Sequence, residues 1–214
     1  MTPGVAEIDL SALPAEVQER WPYAIERAQR KIQTTATNPA ASRLLQASQR
    51  ASSARQRVVW LHRTASAWAE PLQAVSACRT GCSHCCHIPV TITRVEADLI
   101  AQATGRKQVR PQRSVHLAQH DSLESAMAAH DALRDPAGVG PGPCPFLANG
   151  RCSVYAVRPM ACRLLLNLDD DELLCRLVDG TPIPVPYADS RRLQALYLLA
   201  QPGAELADIR AFFP

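Results

Sequence analysis

Aromatic side chains are scarce in this chain, at 5% of its residues, although 47% are hydrophobic and alanine is abundant. A β-sandwich needs aromatic and β-branched side chains to fill its faces, so the composition favours closely packed helices. An excess of one charge is also lacking: 23 Lys and Arg stand against 20 Asp and Glu, a formal net charge of +3. Interleaved signs describe a solvated mixed surface, and nucleic acid is not an expected partner. No run of eighteen apolar residues occurs, so no membrane span is expected. Residues 1–10 lack a basic segment leading into an apolar core, so no secretory signal is read there and the expected location is cytoplasmic. The chain also lacks the phosphate-binding G-x-x-x-x-G-K-[ST], the dinucleotide G-x-G-x-x-G, and the H-E-x-x-H and G-x-S-x-G signatures.

Cysteine, by contrast, is plentiful, with eight residues. Cys78, Cys82, Cys85 and Cys86 stand within nine residues, as C-x3-C-x2-C-C. Cys144, Cys152 and Cys162 follow about sixty residues later, with Cys175 beyond them. A cytoplasmic chain of this length argues against a disulfide framework. Thiolates crowded on two loops repel one another and lose solvation when buried, so a cation is what makes the crowding stable. Soft or borderline metals, or an iron–sulfur cluster, are the chemistry that such a set suits. Gly81 allows the tight backbone that aims successive sulfurs inward. One structural zinc or one [4Fe–4S] cluster takes four thiolates, and seven exceed either.

The second thiol group carries further pattern: Cys144-Pro145-Phe146-Leu147, then Cys152-Ser153-Val154-Tyr155, then Arg158-Pro159-Met160-Ala161-Cys162-Arg163. With the first loop, these motifs resemble a cysteine-cluster family of zinc- or iron-chelating proteins known by its CxxCxxCC signature. The likeness spans roughly residues 78–165; three residues separate Cys78 from Cys82 where the signature has two. The resemblance implies metal-ligand roles for Cys78, Cys82, Cys85, Cys86, Cys144, Cys152 and Cys162. It implies iron or zinc as cofactor, with an iron–sulfur cluster as one form, and metal ions as partners. An accessory, metal-handling or redox role follows; the alternative is an iron–sulfur-dependent enzyme, an oxidoreductase or a methylase-like protein modifier. Cys175 lies outside the motifs and reads as a buried free thiol, and His84 and His87 read as exposed loop residues. Arg158 and Arg163 either compensate thiolate charge or make surface ion pairs. Phe146 and Tyr155 are expected to form an apolar lid over the metal.

The rest reads as helical scaffold around an irregular cysteine-lined centre, a mainly α fold. Three regions are expected: a helical region 1–72, a cysteine-cluster domain 73–170, and a strap with helices over 171–214. Residues 1–12 read as an arm. A helix over 15–33 turns Val17, Trp21, Ile25 and Ile32 inward, with Pro22 kinking or restarting it. Asn38-Pro39 opens a long helix whose seam runs Leu44, Ala47, Ala51, Ala54, Val58, Leu61, Ala65, Trp68 and Leu72. Packing on another helix of the same chain is the simpler reading of the seam; a homo-oligomer through helix 39–72 is the other. Thr93 and Glu96 form a capping box, and Gly105 stops the helix they open. A further helix is expected over 114–133, with His116 and His120 on one solvated face. Pro136–Pro145 reads as loop, the trio 169–171 as an exposed acidic turn, and 181–186 as an extended strap. Asp189 or Ser190 caps a helix to Leu199, and 204–213 forms a last short one.

Overall fold

The computed structural model describes residues 9–133, 142–176 and 183–214. The first eight residues of the expected arm, most of the 136–145 loop and the first two residues of the strap lie outside them. Among the described residues, nine α-helices and two small sheets make the fold mainly α. No helix there is long and apolar enough to cross a membrane.

Helix α1 (Ala15–Thr34) runs through Pro22 without a break and buries Val17, Ala24 and Ala28. Those residues pack against Leu166, Leu168 and Leu174. Ile32, expected to face inward, is exposed, because polar contacts orient the helix as well. Arg20 donates twice to the Asp169 carboxylate, at 2.8 and 3.0 Å, and Lys31 donates to the Asp169 carbonyl at 2.7 Å. The acidic trio is therefore no exposed turn. Asp169 is fully buried, while half-exposed Asp170 and Asp171 pair with Arg27, Lys31 and Arg20.

The long seam is divided. Helix α2 (Ala40–Arg50) ends where Ala51 turns extended, and α3 (Ala54–Gln73) starts afresh after Ser53, whose side chain accepts the Gln56 amide. Serine competes well for backbone partners at such a point, which is why it caps better than it continues a helix. The corner is tied by Ser48 Oγ donating to the Arg57 carbonyl, and by the Arg57 guanidinium reaching back to the Ala51 and Ser52 carbonyls. The two helices fold back on each other, so the seam serves packing within the chain. The expected helix 39–72 is therefore not continuous.

Strand β1 (Thr91–Thr93) leads directly into α4 (Arg94–Thr104). The expected capping box is present, and Gly105 ends α4 in the left-handed region at φ 70°. The expected 114–133 helix is broken into strand β2 (Val115–His116), a 3-10 turn and helix α5 (Leu123–Ala132). His116 and His120 consequently share no helix face; His120 Nδ1 instead lies 2.8 Å from Ser125 Oγ. A hairpin of β3 (Leu147–Ala148) and β4 (Arg151–Cys152) follows, then α6 (Met160–Leu164), α7 (Leu173–Arg176) and α8 (Arg191–Leu199). Ser190 takes the N-cap position of α8 without a side-chain cap bond, and the Asp189 carboxylate before it accepts the Arg191 amide.

The expected helix over 204–213 is half strand: β5 (Glu205–Asp208) precedes α9 (Ile209–Phe212). Strand β5 lies antiparallel between β1 and β2, with Ile92 opposite Ala207 and Val115 opposite Leu206. Pairing wins over helix here because two strands with unpaired edges flank this segment. One core fills the space between α3, α6 and α8, around Leu61, Met160, Leu164 and Tyr197. A second joins β1, α4, β5 and α9 through Ile92, Ile100, Phe212 and Phe213. Cys144, Cys152 and Cys162 lie along this second core, and Cys78 packs on a third around Leu166 and Leu168.

Candidate metal centre

The first loop bends where Gly81 takes φ 92°, which lets the Cys82 amide reach the Arg79 carbonyl at 3.0 Å. A 3-10 turn over His84–Cys86 then sets Cys85 and Cys86 side by side. The loop's tail is anchored by β5 and α9. Asp208 accepts the Val90 amide at 2.7 Å, and Arg210 reaches the Cys86 and Ile88 carbonyls at 3.3 Å.

The second loop meets the first through the backbone: the Cys144 amide donates to the Cys86 carbonyl at 2.6 Å. Asn149 and Gly150, at φ 51° and 71°, make the tight turn between β3 and β4. Asparagine and glycine are the residues that tolerate consecutive positive φ. That turn puts Cys152 opposite Leu147. Ser153 closes the hairpin by donating its amide and hydroxyl to the Phe146 carbonyl, both at 2.9 Å.

Helix α6 supplies Cys162 and is held at both ends. Its first amide, on Met160, donates to Glu96 at 2.7 Å. Arg163 braces the turn before it, donating to the Arg158 and Ala156 carbonyls and to Ser66 Oγ on α3 at 2.7–2.9 Å. The Arg163 donors therefore go to oxygen atoms, while its charge still acts on the neighbouring Cys162. Arg158 faces the thiols. Its guanidinium lies 4.2 Å from the Tyr155 ring centroid and works on Cys85 against the upward push of Cys86.

All seven thiols expected as ligands line one cavity of about 510 Å³: Cys78, Cys82, Cys85, Cys86, Cys144, Cys152 and Cys162. Every cysteine is a partly buried free thiol. Burial pushes Cys78 and Cys144 up, and Cys162 well above the ordinary thiol value. Cys85 is raised by its contact with Cys86 first and by burial second. The sulfurs fall into two overlapping neighbourhoods. Cys78 feels Cys82 and Cys85, Cys162 feels Cys85, Cys144 and Cys152, and Cys85 belongs to both. This donor chemistry fits a soft or borderline cation, since ionising several buried sulfurs together requires a neutralising charge. Among the described residues, however, no three or more His, Cys, Asp or Glu side chains are grouped closely enough to hold a metal ion. The fold provides a shared thiol cavity and not a finished coordination shell.

Residues 77–177 match the family described as a putative zinc- or iron-chelating domain. This match, to the CxxCxxCC family, covers just under half of the chain. No curated protein and no solved structure matches the chain. The CxxCxxCC segment reaches past the motifs legible in the sequence and takes in Cys175 on α7. That thiol is pushed up to about 12 by burial, with Cys78 and Cys82 adding repulsion, so it stands beside the first neighbourhood. The expected lid is not formed as read. Phe146 is buried edge-on against Phe213, at 5.0 Å between ring centroids, in the second core and outside the cavity lining, and Tyr155, which does line the cavity, is 53% exposed at its rim.

Two residues of the CxxCxxCC segment take supporting roles that their immediate sequence does not signal. Glu96, 1% exposed, gathers His62 from α3 at 2.6 Å, Tyr197 from α8 at 2.5 Å and the Met160 amide of α6. Burial alone would raise this carboxyl. The bonds from His62, Tyr197 and Met160 outweigh that and hold it below the ordinary range. Asn167, also 1% exposed, lies between Cys78 and Cys175.

Proposed function

We propose that the CxxCxxCC segment holds zinc or iron through Cys78, Cys82, Cys85, Cys86, Cys144, Cys152 and Cys162, with Cys175 as a further donor. The observation that carries this is the meeting of seven thiols, from separate loops, on one cavity. Four of them are raised by burial or by a neighbouring thiol, and a bound cation relieves both effects at once. The role we infer is metal handling or redox support within a larger process. Bound metal would neutralise the thiolates, and iron would add one-electron chemistry. Seven or eight donors exceed the four that one zinc or one [4Fe–4S] cluster takes, which supports more than one metal atom. Eight free thiols support a reducing, cytoplasmic setting.

The test is to purify the protein without oxygen and measure iron, zinc and acid-labile sulfide per chain, with an absorption spectrum. Iron with matching sulfide identifies an iron–sulfur centre, and zinc in a colourless protein identifies a chelating or structural one. Neither metal, after reconstitution with each, would refute the proposal.

A further inference from the structure

Among the described residues, Asn167 is the one that bonds to thiols from both ends of the CxxCxxCC segment. Its backbone carbonyl accepts the Ala77 amide at 2.9 Å, which fixes the chain one residue before Cys78. Its own amide donates to Cys78 Sγ at 3.4 Å. The side-chain oxygen accepts the Asp169 amide at 2.9 Å, and this decides which end of the carboxamide is nitrogen. Nδ2 then donates to the Asp171 carbonyl at 3.1 Å and to Cys175 Sγ at 3.4 Å. The position is rigid as well. Asn167 forms a β-bridge with Tyr187, the Leu168 and Ala188 amides bond across the same two segments, and α1 anchors Asp169 from outside.

From this geometry we propose that Asn167 is the positioning residue of the centre, drawing Cys175 up to Cys78 and donating an N–H···S bond to each sulfur. The proposal rests on the reading of these thiols as metal donors. Sulfur is a weak acceptor as a thiol and a stronger one as a thiolate, so both bonds tighten when the sulfurs ionise. Hydrogen bonds of this kind orient metal-bound sulfur and set the electronic properties of the metal it holds. A neutral amide does so without placing a competing cation beside the metal. It also explains how a thiol thirteen residues beyond Cys162 comes to stand with the first loop.

The test uses the full chain loaded with zinc, with iodoacetamide alkylation followed at each cysteine by mass spectrometry. Wild type is compared with Asn167→Ala and Asn167→Asp, and circular dichroism monitors folding. Asp keeps the shape and the acceptor oxygen but loses the Nδ2 donor. In both variants Cys175 should react faster by roughly tenfold or more, the size of effect expected for an outer partner. Cys78 should change less, because its bond comes from the backbone, and Cys144, Cys152 and Cys162 should keep wild-type rates. Cobalt-substituted variants should lose about one thiolate's share of the sulfur-to-metal charge-transfer absorption. Wild-type protection of Cys175 in both variants would overturn the proposal while leaving the metal reading intact. So would a common rise at all eight thiols in both. If zinc protects no thiol even in wild type, the metal reading fails and takes the proposal with it.

Discussion

Replacing Glu96 with alanine should destabilise the protein more than any exposed substitution, and the structure gives the size of the effect. The carboxylate is 1% exposed and accepts from His62, Tyr197, the Met160 amide and, at 3.4 Å, the Thr93 amide. Removing it leaves the His62 ring nitrogen on α3 and the Met160 amide on α6 unsatisfied, each worth about 1–3 kcal/mol when buried without a partner, while the Tyr197 hydroxyl on α8 keeps Thr93 Oγ1 at 3.1 Å. Water entering the space recovers part of this. The net loss should match that of breaking a buried charged pair, about 3–5 kcal/mol, or roughly 10 °C in Tm for a chain of this size. Chemical unfolding followed by circular dichroism measures it directly. Glu96→Gln keeps the shape and one acceptor and should lose less. Its acid profile should differ as well. Because the folded state holds Glu96 below its ordinary range, wild type gains stability from this group above an unfolded pKa of about 4.3. That stability is lost as pH falls through the depressed folded value. The glutamine variant should lack this component of the acid slope. A loss below about 1 kcal/mol for alanine, or an unchanged acid slope for glutamine, would refute the assignment of Glu96 as the charged tie between these helices.

Other substitutions probe the remaining supports. Cys86→Ser should lower metal content and thermal stability together, since binding free energy is folding free energy at such centres. Its affinity should fall by at least the roughly 10–100-fold that losing an outer partner brings, as metal analysis and competition with a chelator would register. Arg20→Ala leaves the fully buried Asp169 with the Asp170 amide at 2.8 Å and, as its one remaining charged partner among the described residues, Arg27 at 3.7 Å; the expected loss in unfolding free energy is about 3 kcal/mol. Gly150→Ala meets no neighbouring atom but must hold φ 71°. Its cost is purely conformational, about 1–2 kcal/mol, and should appear as a uniform shift of the denaturant midpoint.

Local chemistry was legible in the sequence wherever the partners lie a turn apart. Thr93, Glu96 and Gly105 announce both ends of α4 because cap and capped group are neighbours. The seven thiols of the shared cavity were legible because spacing marks them out. The second role of Glu96 was not, since its partners lie 34, 64 and 101 residues away. Cys175 has no motif around it, and only Asn167, itself brought in by the pairing of residues 166–168 with 186–188, reveals its neighbourhood. The broken seam teaches a related point. Its three-and-four spacing is real, but Ser52 and Ser53 outweigh it locally, so periodicity gave the faces and not the turn. Residues 204–213 carried a helical pattern, yet β1 and β2 impose strand pairing that only tertiary structure supplies.

The central strand of the small sheet comes last in sequence, and this bears on the order in which the protein can be made. Residues 78–86 leave the ribosome long before β5, yet Asp208 and Arg210 are what fasten the tail of that loop. Until residues 205–210 arrive, β1 and β2 have no strand between them and the stretch from Cys86 to Val90 lacks its Asp208 and Arg210 ties. Closing so long a stretch of chain is slow compared with forming helices. The nascent cysteines therefore pass through an interval in which stray metal or oxidant can reach them first, and expression with ample reductant and a measured supply of metal should raise the yield of correctly assembled protein.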